Sequence, residues 1–204
     1  MNEIIINGVM YTSKKEALEV LSTIQDNIKT PVKDLNPGER FFYKGIEWIK
    51  LDDTYGGVLV LAVNCNLEDR FNDGLSTNWA ESSLRQNLNA TENGHFMVET
   101  LKYIDKNDLV EFERDLTTDD GMTDYGTCKD FISLYTCDEY RKYRKFIPKD
   151  IGDHLTITAE SLSCEDLIRF VDSDGRLKNN LTFCGYHGVL PLCVLKPDVD
   201  VEVK

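Results

Sequence analysis

Apolar and polar positions alternate in short runs along most of the chain, and turn residues interrupt those runs at close intervals. Near the amino terminus, Glu3-Ile-Ile-Ile6 and Val9-Met-Tyr11 flank Asn7-Gly8, a pair that tolerates positive φ, so this stretch predicts a hairpin. Thr12 or Ser13 can cap a following helix that runs to about Ile28, with Leu18, Leu21, Ile24 or Gln25, and Ile28 recurring near the helical period. Thr30-Pro31 stops it. Residues 1–29 therefore read as an accessory hairpin-helix unit, and residues 30–204 as the main domain.

Asn36-Pro37-Gly38-Glu39 is a turn signal before three apolar runs, Arg40-Phe-Phe-Tyr43, Ile46-Glu-Trp-Ile-Lys-Leu51 and Val58-Leu-Val-Leu-Ala-Val63. They read as an antiparallel meander with Trp48 in its core. Asn78-Trp79 opens a predicted helix with Trp79, Ser83 or Leu84, and Leu88 on its buried stripe, and Arg85 is placed to bridge to a carboxylate. A second helical segment is expected over residues 96–103, and Leu109-Val-Glu-Phe-Glu113 reads as a strand. Thr136-Cys-Asp-Glu139 is a capping box; Leu134 before it and Tyr140, Tyr143 and Ile147 after it make an amphipathic helix that Pro148 ends. Finally, Leu167-Ile-Arg-Phe-Val171, Asp172-Ser-Asp-Gly175 and the run from Leu177 specify another hairpin. The fold class expected is α+β, with twisted antiparallel sheets, flanking helices and irregular loops.

Charge narrows the partners. The chain carries 36 acidic and 23 Lys or Arg side chains in 204 residues, a net charge of −13. Such a field repels nucleic-acid phosphates and anionic membranes, and it attracts a basic protein surface, including a partner's nucleic-acid-binding groove. Arg141, Lys142, Arg144 and Lys145 cluster on one predicted helix and read as a solvated, locally neutralised face. Met1-Asn-Glu-Ile-Ile-Ile lacks the pattern of a signal peptide, and no run approaches the roughly 20 apolar residues of a membrane helix, so the cytoplasm is the expected compartment. The six cysteines lack a CxxC pair, which points to reduced thiols in or near the core.

Candidate chemistry lies in two places. The first is the acidic stretch from Asp115 to Gly126, where Asp119, Asp120 and Asp124 raise a cation question. Their spacing departs from the calcium-loop pattern, and Thr117, Asp119 and Gly121 suit side-chain-to-backbone turn bonding. The second is the Gly185 to Gly188 bend, where Cys184, Tyr186 and His187 gather a thiol, a phenol and an imidazole without the oriented third group of an activated nucleophile. His154 is the other histidine with a Cys or Asp in range of such a role. No catalytic residue, cofactor or metal site is assigned. The binding candidates are Asp115, Asp119, Asp120 and Asp124, which can pair with Arg or Lys across an interface, Tyr125 and Tyr186, which offer apolar contact, and His187 at the bend.

In order, Asn78-Trp79-Ala-Glu-Ser-Ser-Leu-Arg85-Gln-Asn-Leu-Asn89, Leu116-Thr-Thr-Asp-Asp-Gly121, Asp124-Tyr-Gly-Thr-Cys-Lys-Asp130, Ile132-Ser-Leu-Tyr-Thr-Cys-Asp-Glu-Tyr140, Val171-Asp-Ser-Asp-Gly175 and Gly188-Val-Leu-Pro191 resemble a domain family of gut bacteria and their phages. That family is similar to C-type-lectin-like folds, including the formylglycine-generating-enzyme branch and phage receptor-binding tips. Over about residues 32–203 the resemblance implies irregular loops resting on a twisted antiparallel sheet, without implying sugar, calcium or the enzyme branch's reactive cysteines. The family's aromatic, Arg-containing late segment has no counterpart in His154-Leu-Thr-Ile-Thr-Ala-Glu-Ser161, and Leu190 stands where the family usually has Arg. The function expected is non-catalytic protein recognition, in one form a phage-derived acidic inhibitor of a host nucleic-acid-binding defence complex. The alternatives are a surface-recognition domain for a glycan or receptor and a divergent metal-dependent enzyme. No fibre or coiled-coil repeat accompanies the domain, which favours a free-standing module.

Overall fold

A computed structural model describes residues 4–6, 9–11, 29–64, 66–149, 151–183, 185 and 187–203. Ile4–Ile6 pairs antiparallel with Val9–Tyr11, Ile4 opposite Tyr11. The helix expected over residues 12–28, together with Cys65, Cys184 and Tyr186, lies outside the described residues.

Arg40–Tyr43, Ile46–Thr54 and Gly57–Asn64 form the expected meander, with Tyr43 opposite Ile46 and Thr54 opposite Gly57. Both connections hold two residues at positive φ, Lys44 at 54° with Gly45 at 79° and Tyr55 at 56° with Gly56 at 78°. That pair of angles belongs to the type I′ turn, whose twist matches the flanking strands. Leu192–Leu195 adds beside Gly57–Asn64, and Leu109–Val110 and Ile132–Ser133 both pair with Leu192–Leu195. On the other side Asp200–Glu202 and then Lys29–Pro31 complete an eight-stranded antiparallel sheet.

This sheet is covered on both faces. Val58, Val60 and Ala62 enter one core with Phe41, Trp48 and Trp79, whereas Leu59, Leu61 and Val63 enter another with Tyr135, Tyr140 and Tyr143. Alternate side chains of one strand point to opposite faces, so a strand buried twice reads as an unbroken apolar run. A second sheet of five strands runs in the order Leu177–Leu181, Leu167–Val171, His154–Ala159, His187–Gly188, Glu68–Asp69. Its pairings are antiparallel except that between His154–Ala159 and His187–Gly188. Gly175, at φ +76°, closes the Leu167–Val171 and Leu177–Leu181 hairpin where the Asp172-Ser-Asp-Gly175 signal places it.

The described residues are mostly β, with two short α-helices, an arrangement compatible with α+β. The helix expected from Asn78-Trp79 is broken in two. Trp79–Glu81 is a 3₁₀ turn capped by Asn78, and Ser83–Asn89 is α-helical and capped by the Ser82 hydroxyl, which accepts from the Arg85 amide at 3.1 Å. Residues 96–103, expected as a helix, instead form turns: Leu101 N–H donates to Val98 O and Ile104 N–H to Leu101 O, each at 2.9 Å, and both Leu101 and Ile104 are buried. Two apolar anchors three residues apart are met by successive turns without helical continuation. The strand expected over residues 109–113 is likewise split: Leu109–Val110 joins the large sheet, and Phe112–Asp115 pairs with Thr127–Asp130 in a separate hairpin.

Two buried ion centres fix that hairpin. Arg114, 1% exposed at its side chain, donates to Glu139 through both terminal nitrogens at 2.8 and 2.5 Å and to the Leu134 carbonyl at 2.9 Å. Glu139 is also the third residue of the capping box, accepting from the Thr136 amide at 2.8 Å while its own amide donates to the Thr136 hydroxyl at 3.0 Å. Burial pushes its carboxyl up, but the Arg114 guanidinium prevails and holds it below the ordinary carboxylate value. At the other end Asp130, with no side-chain exposure, accepts from Arg85 Nε at 2.6 Å and from Trp79 Nε1 at 2.8 Å.

Removing one partner of a buried pair strands the other, so Glu139→Ala should lower the unfolding free energy by about 3–5 kcal/mol. Lys142→Ala, which removes an exposed pair with Asp52, should cost less than about 1 kcal/mol. Urea titrations read both as midpoint shifts at constant slope, and equal costs for the two variants would refute the assignment.

Candidate functional site

The acidic stretch hangs from the Phe112–Asp115 and Thr127–Asp130 hairpin, whose last pair is Asp115 opposite Thr127. Its interior is a set of tight turns. Asp115 accepts from the Thr117 amide at 2.9 Å and hydroxyl at 2.6 Å; Thr118 N–H donates to Met122 O at 2.9 Å, and its hydroxyl to Asp120 at 2.5 Å. Gly121 sits at φ +92°, a conformation that favours glycine. The turn bonding expected of Thr117 is therefore present, and the loop is also held from outside.

Asp119 supplies the principal external tie. Its carboxylate accepts from Arg141 Nη2 at 2.7 Å and from Arg169 Nη2 at 2.6 Å and Nε at 2.8 Å, while its amide donates to Ala159 O at 2.9 Å. Burial acts to raise the Asp119 carboxyl, but the two guanidiniums outweigh it and hold the carboxyl below its ordinary value. One carboxylate thus joins the loop to the Cys137–Tyr143 helix and to the second sheet. Beside it is a cleft of about 130 Å³ lined by Asp115, Thr118, Asp119, Cys137, Arg141 and Thr158, among others. Burial pushes the Cys137 thiol in this cleft up to about 11, far from the range of a ready nucleophile.

The other candidates are placed differently. Asp115, Asp120 and Asp124 are exposed. Tyr125 is half-buried against the core, and its hydroxyl lies 2.8 Å from that of Thr77. His187 stacks on Phe170, with centroids 4.8 Å apart, and its Nε2 lies 2.8 Å from Asn180 Nδ2. Phe170 and Arg169 are adjacent in one strand and so face opposite sides of the sheet. The acidic loop, tied to Arg169, and His187, stacked on Phe170, accordingly lie on opposite faces. Asp119 and His187 thus belong to two surfaces.

Tyr125 belongs to a third feature that the sequence pattern did not single out. An open groove of about 420 Å³ is lined by Leu75, Ser76, Thr77, Tyr125, Leu162 and Glu165. The Thr182 hydroxyl secures one wall by donating to Gly74 O at 2.9 Å, and Asn72 N–H donates to Thr182 O at 3.1 Å. The only sequence signal for this groove is a lone leucine in each of two polar turns, Asn72-Asp-Gly-Leu75-Ser and Glu160-Ser-Leu162-Ser. Leu75 is exposed and Leu162 half-buried, and single leucines in polar turns are ordinary, so neither stands out in the sequence.

Among the described residues no three His, Cys, Asp or Glu side chains gather in a way that could hold a metal ion. Among the same residues no helix is long and apolar enough to cross a membrane. Comparison with protein-family models, with curated proteins and with solved structures gave no match.

Asp119→Asn should leave the fold intact and raise amide exchange across residues 116–126, because a neutral amide cannot hold two guanidiniums as a carboxylate does. Unchanged exchange would count against the tie. The histidines give a pH test. His154 is buried, with Nδ1 2.7 Å from Gly152 O and with Nε2 unpartnered among the described residues. Burial lowers the affinity of both His154 and His187 for a proton below the ordinary value of 6.5, against the opposing pull of Asp153. The unfolded chain then takes up the protons first, so stability is full above 6.5 and falls as pH drops through it. Thermal midpoints should decline over that window, and His154→Gln should flatten the decline.

Proposed function

We propose that this chain is a non-catalytic protein-recognition module, a C-type-lectin-like framework that presents irregular loops to a basic protein surface. Its best-fitting role is that of an acidic inhibitor covering a partner's nucleic-acid-binding groove. The observation that carries this reading is the anchoring of the 116–126 loop by Asp119 to Arg141, Arg169 and Ala159 O, while Asp115, Asp120 and Asp124 stay exposed. A loop held in one conformation before binding loses little freedom when it docks.

Charge supports the choice of partner. A net charge of −13 speeds encounter with a basic surface and disfavours acidic ones. Largely antiparallel sheets with short helices support the framework, and free thiols at Cys128, Cys137, Cys164 and Cys193 suit a cytoplasmic setting.

Affinity capture from extracts of the native host tests the proposal. One nucleic-acid-binding complex is expected, its recovery declining with added salt and dropping at least about tenfold for an Asp120→Lys, Asp124→Lys double variant. Recovery indifferent to salt and to the variant would refute it, as would tight retention of a glycan with no protein. Turnover of a co-purified metabolite would replace recognition with catalysis.

A further inference from the structure

Resting on the recognition reading above, we propose that the groove between Leu75, Tyr125 and Leu162 is the seat of the partner, and that it takes an apolar side chain flanked by Lys or Arg. Three chain segments build this groove, and each brings an apolar group to it. Leu75 is 59% exposed, a large apolar surface left in contact with water. The Tyr125 ring is half-buried and oriented by the bond between its hydroxyl and that of Thr77, itself almost fully buried. An aromatic side chain fixed before docking is the kind of anchor on which interface energy concentrates.

Charge fixes the chemistry of the occupant. Glu165 lines the groove, and no Lys or Arg does so among the described residues. Exposed Asp73 and Asp124 flank Leu75 and Tyr125 closely in the chain. Among the described residues Asp73 pairs with Arg70 at the outer limit of ion pairing, 3.9 Å. A groove that offers Leu75, Leu162 and the Tyr125 ring beside Glu165, with two more carboxylates close in the chain, favours a segment that pairs a hydrophobic anchor with cations and disfavours an acidic one.

The other concave sites fit this role less well. The cleft beside Asp119 is lined by an arginine already held by Asp119 and Asp138. The larger cleft of about 440 Å³ near the Lys29–Pro31 edge interleaves Lys29, Lys44 and Lys196 with Asp108, Asp198, Asp200 and Glu202, so its cations and carboxylates largely offset one another.

Selection of random displayed peptides on the full-length protein at physiological salt tests the proposal. Enriched peptides should combine Leu, Ile, Phe or Met with a nearby Lys or Arg. The strongest, made as a free peptide, should bind at least about tenfold more weakly to Leu75→Asp and several-fold more weakly to Glu165→Lys. Both positions are exposed, and an unchanged thermal midpoint confirms that each variant is folded; if Leu75→Asp is not, Leu75→Ala takes its place. Enriched peptides that lack cations, or that bind both variants as well as the parent, would overturn the groove assignment and leave the recognition reading standing. Failure of any peptide to enrich would also overturn it, and recognition itself would then be decided by the host capture alone.

Discussion

Glu139 is the carboxylate on which the arrangement turns. It accepts from Arg114 in the hairpin, from the Thr136 amide at the start of its own helix, and from the Tyr55 hydroxyl in a turn of the large sheet. Three elements with no covalent proximity are thereby held at one point, and a buried charge tolerates few alternative geometries, because each unmade bond leaves a desolvated group without compensation. Asp130 repeats the logic at the far strand of the same hairpin, through Arg85 and Trp79. The acidic loop hangs from a base clamped on both strands.

These internal uses change the meaning of the chain's acidity. Asp119, Asp130 and Glu139 are matched by Arg141, Arg169, Arg85 and Arg114, so several of the chain's cations are engaged in holding the fold. Among the described residues most of the remaining carboxylates stay in contact with water, where they act on approaching molecules over about a Debye length. A bare charge count would have given equal weight to carboxylates that act as internal struts and to those that set the outer field.

Much of the framework was legible in the sequence because its signals are local. The meander, the Asp172-Ser-Asp-Gly175 turn, the Thr136 and Glu139 box and the burial of Trp48 each follow from residues within a few positions of one another. Arg85 could be assigned a carboxylate without that carboxylate being identified, since Asp130 is 45 residues away. The split of residues 109–113 between two pairings was hidden because both halves have the same alternation, and only their partners differ. The candidate site was read less well. Asp119 was visible as an acidic loop residue, but its engagement with Arg141 and Arg169 depends on tertiary approach, and the groove joins lone leucines from segments whose proximity no local pattern encodes.

The adjacency of Arg169 and Phe170 has a consequence for how such a chain can change over generations. Because one strand sends these neighbours to opposite faces, Asp119 and His187 share a scaffold while resting on different side chains of it, Arg169 and Phe170. The sheet acts as a partition, so side chains on one face can be replaced while those that support the other stay in place.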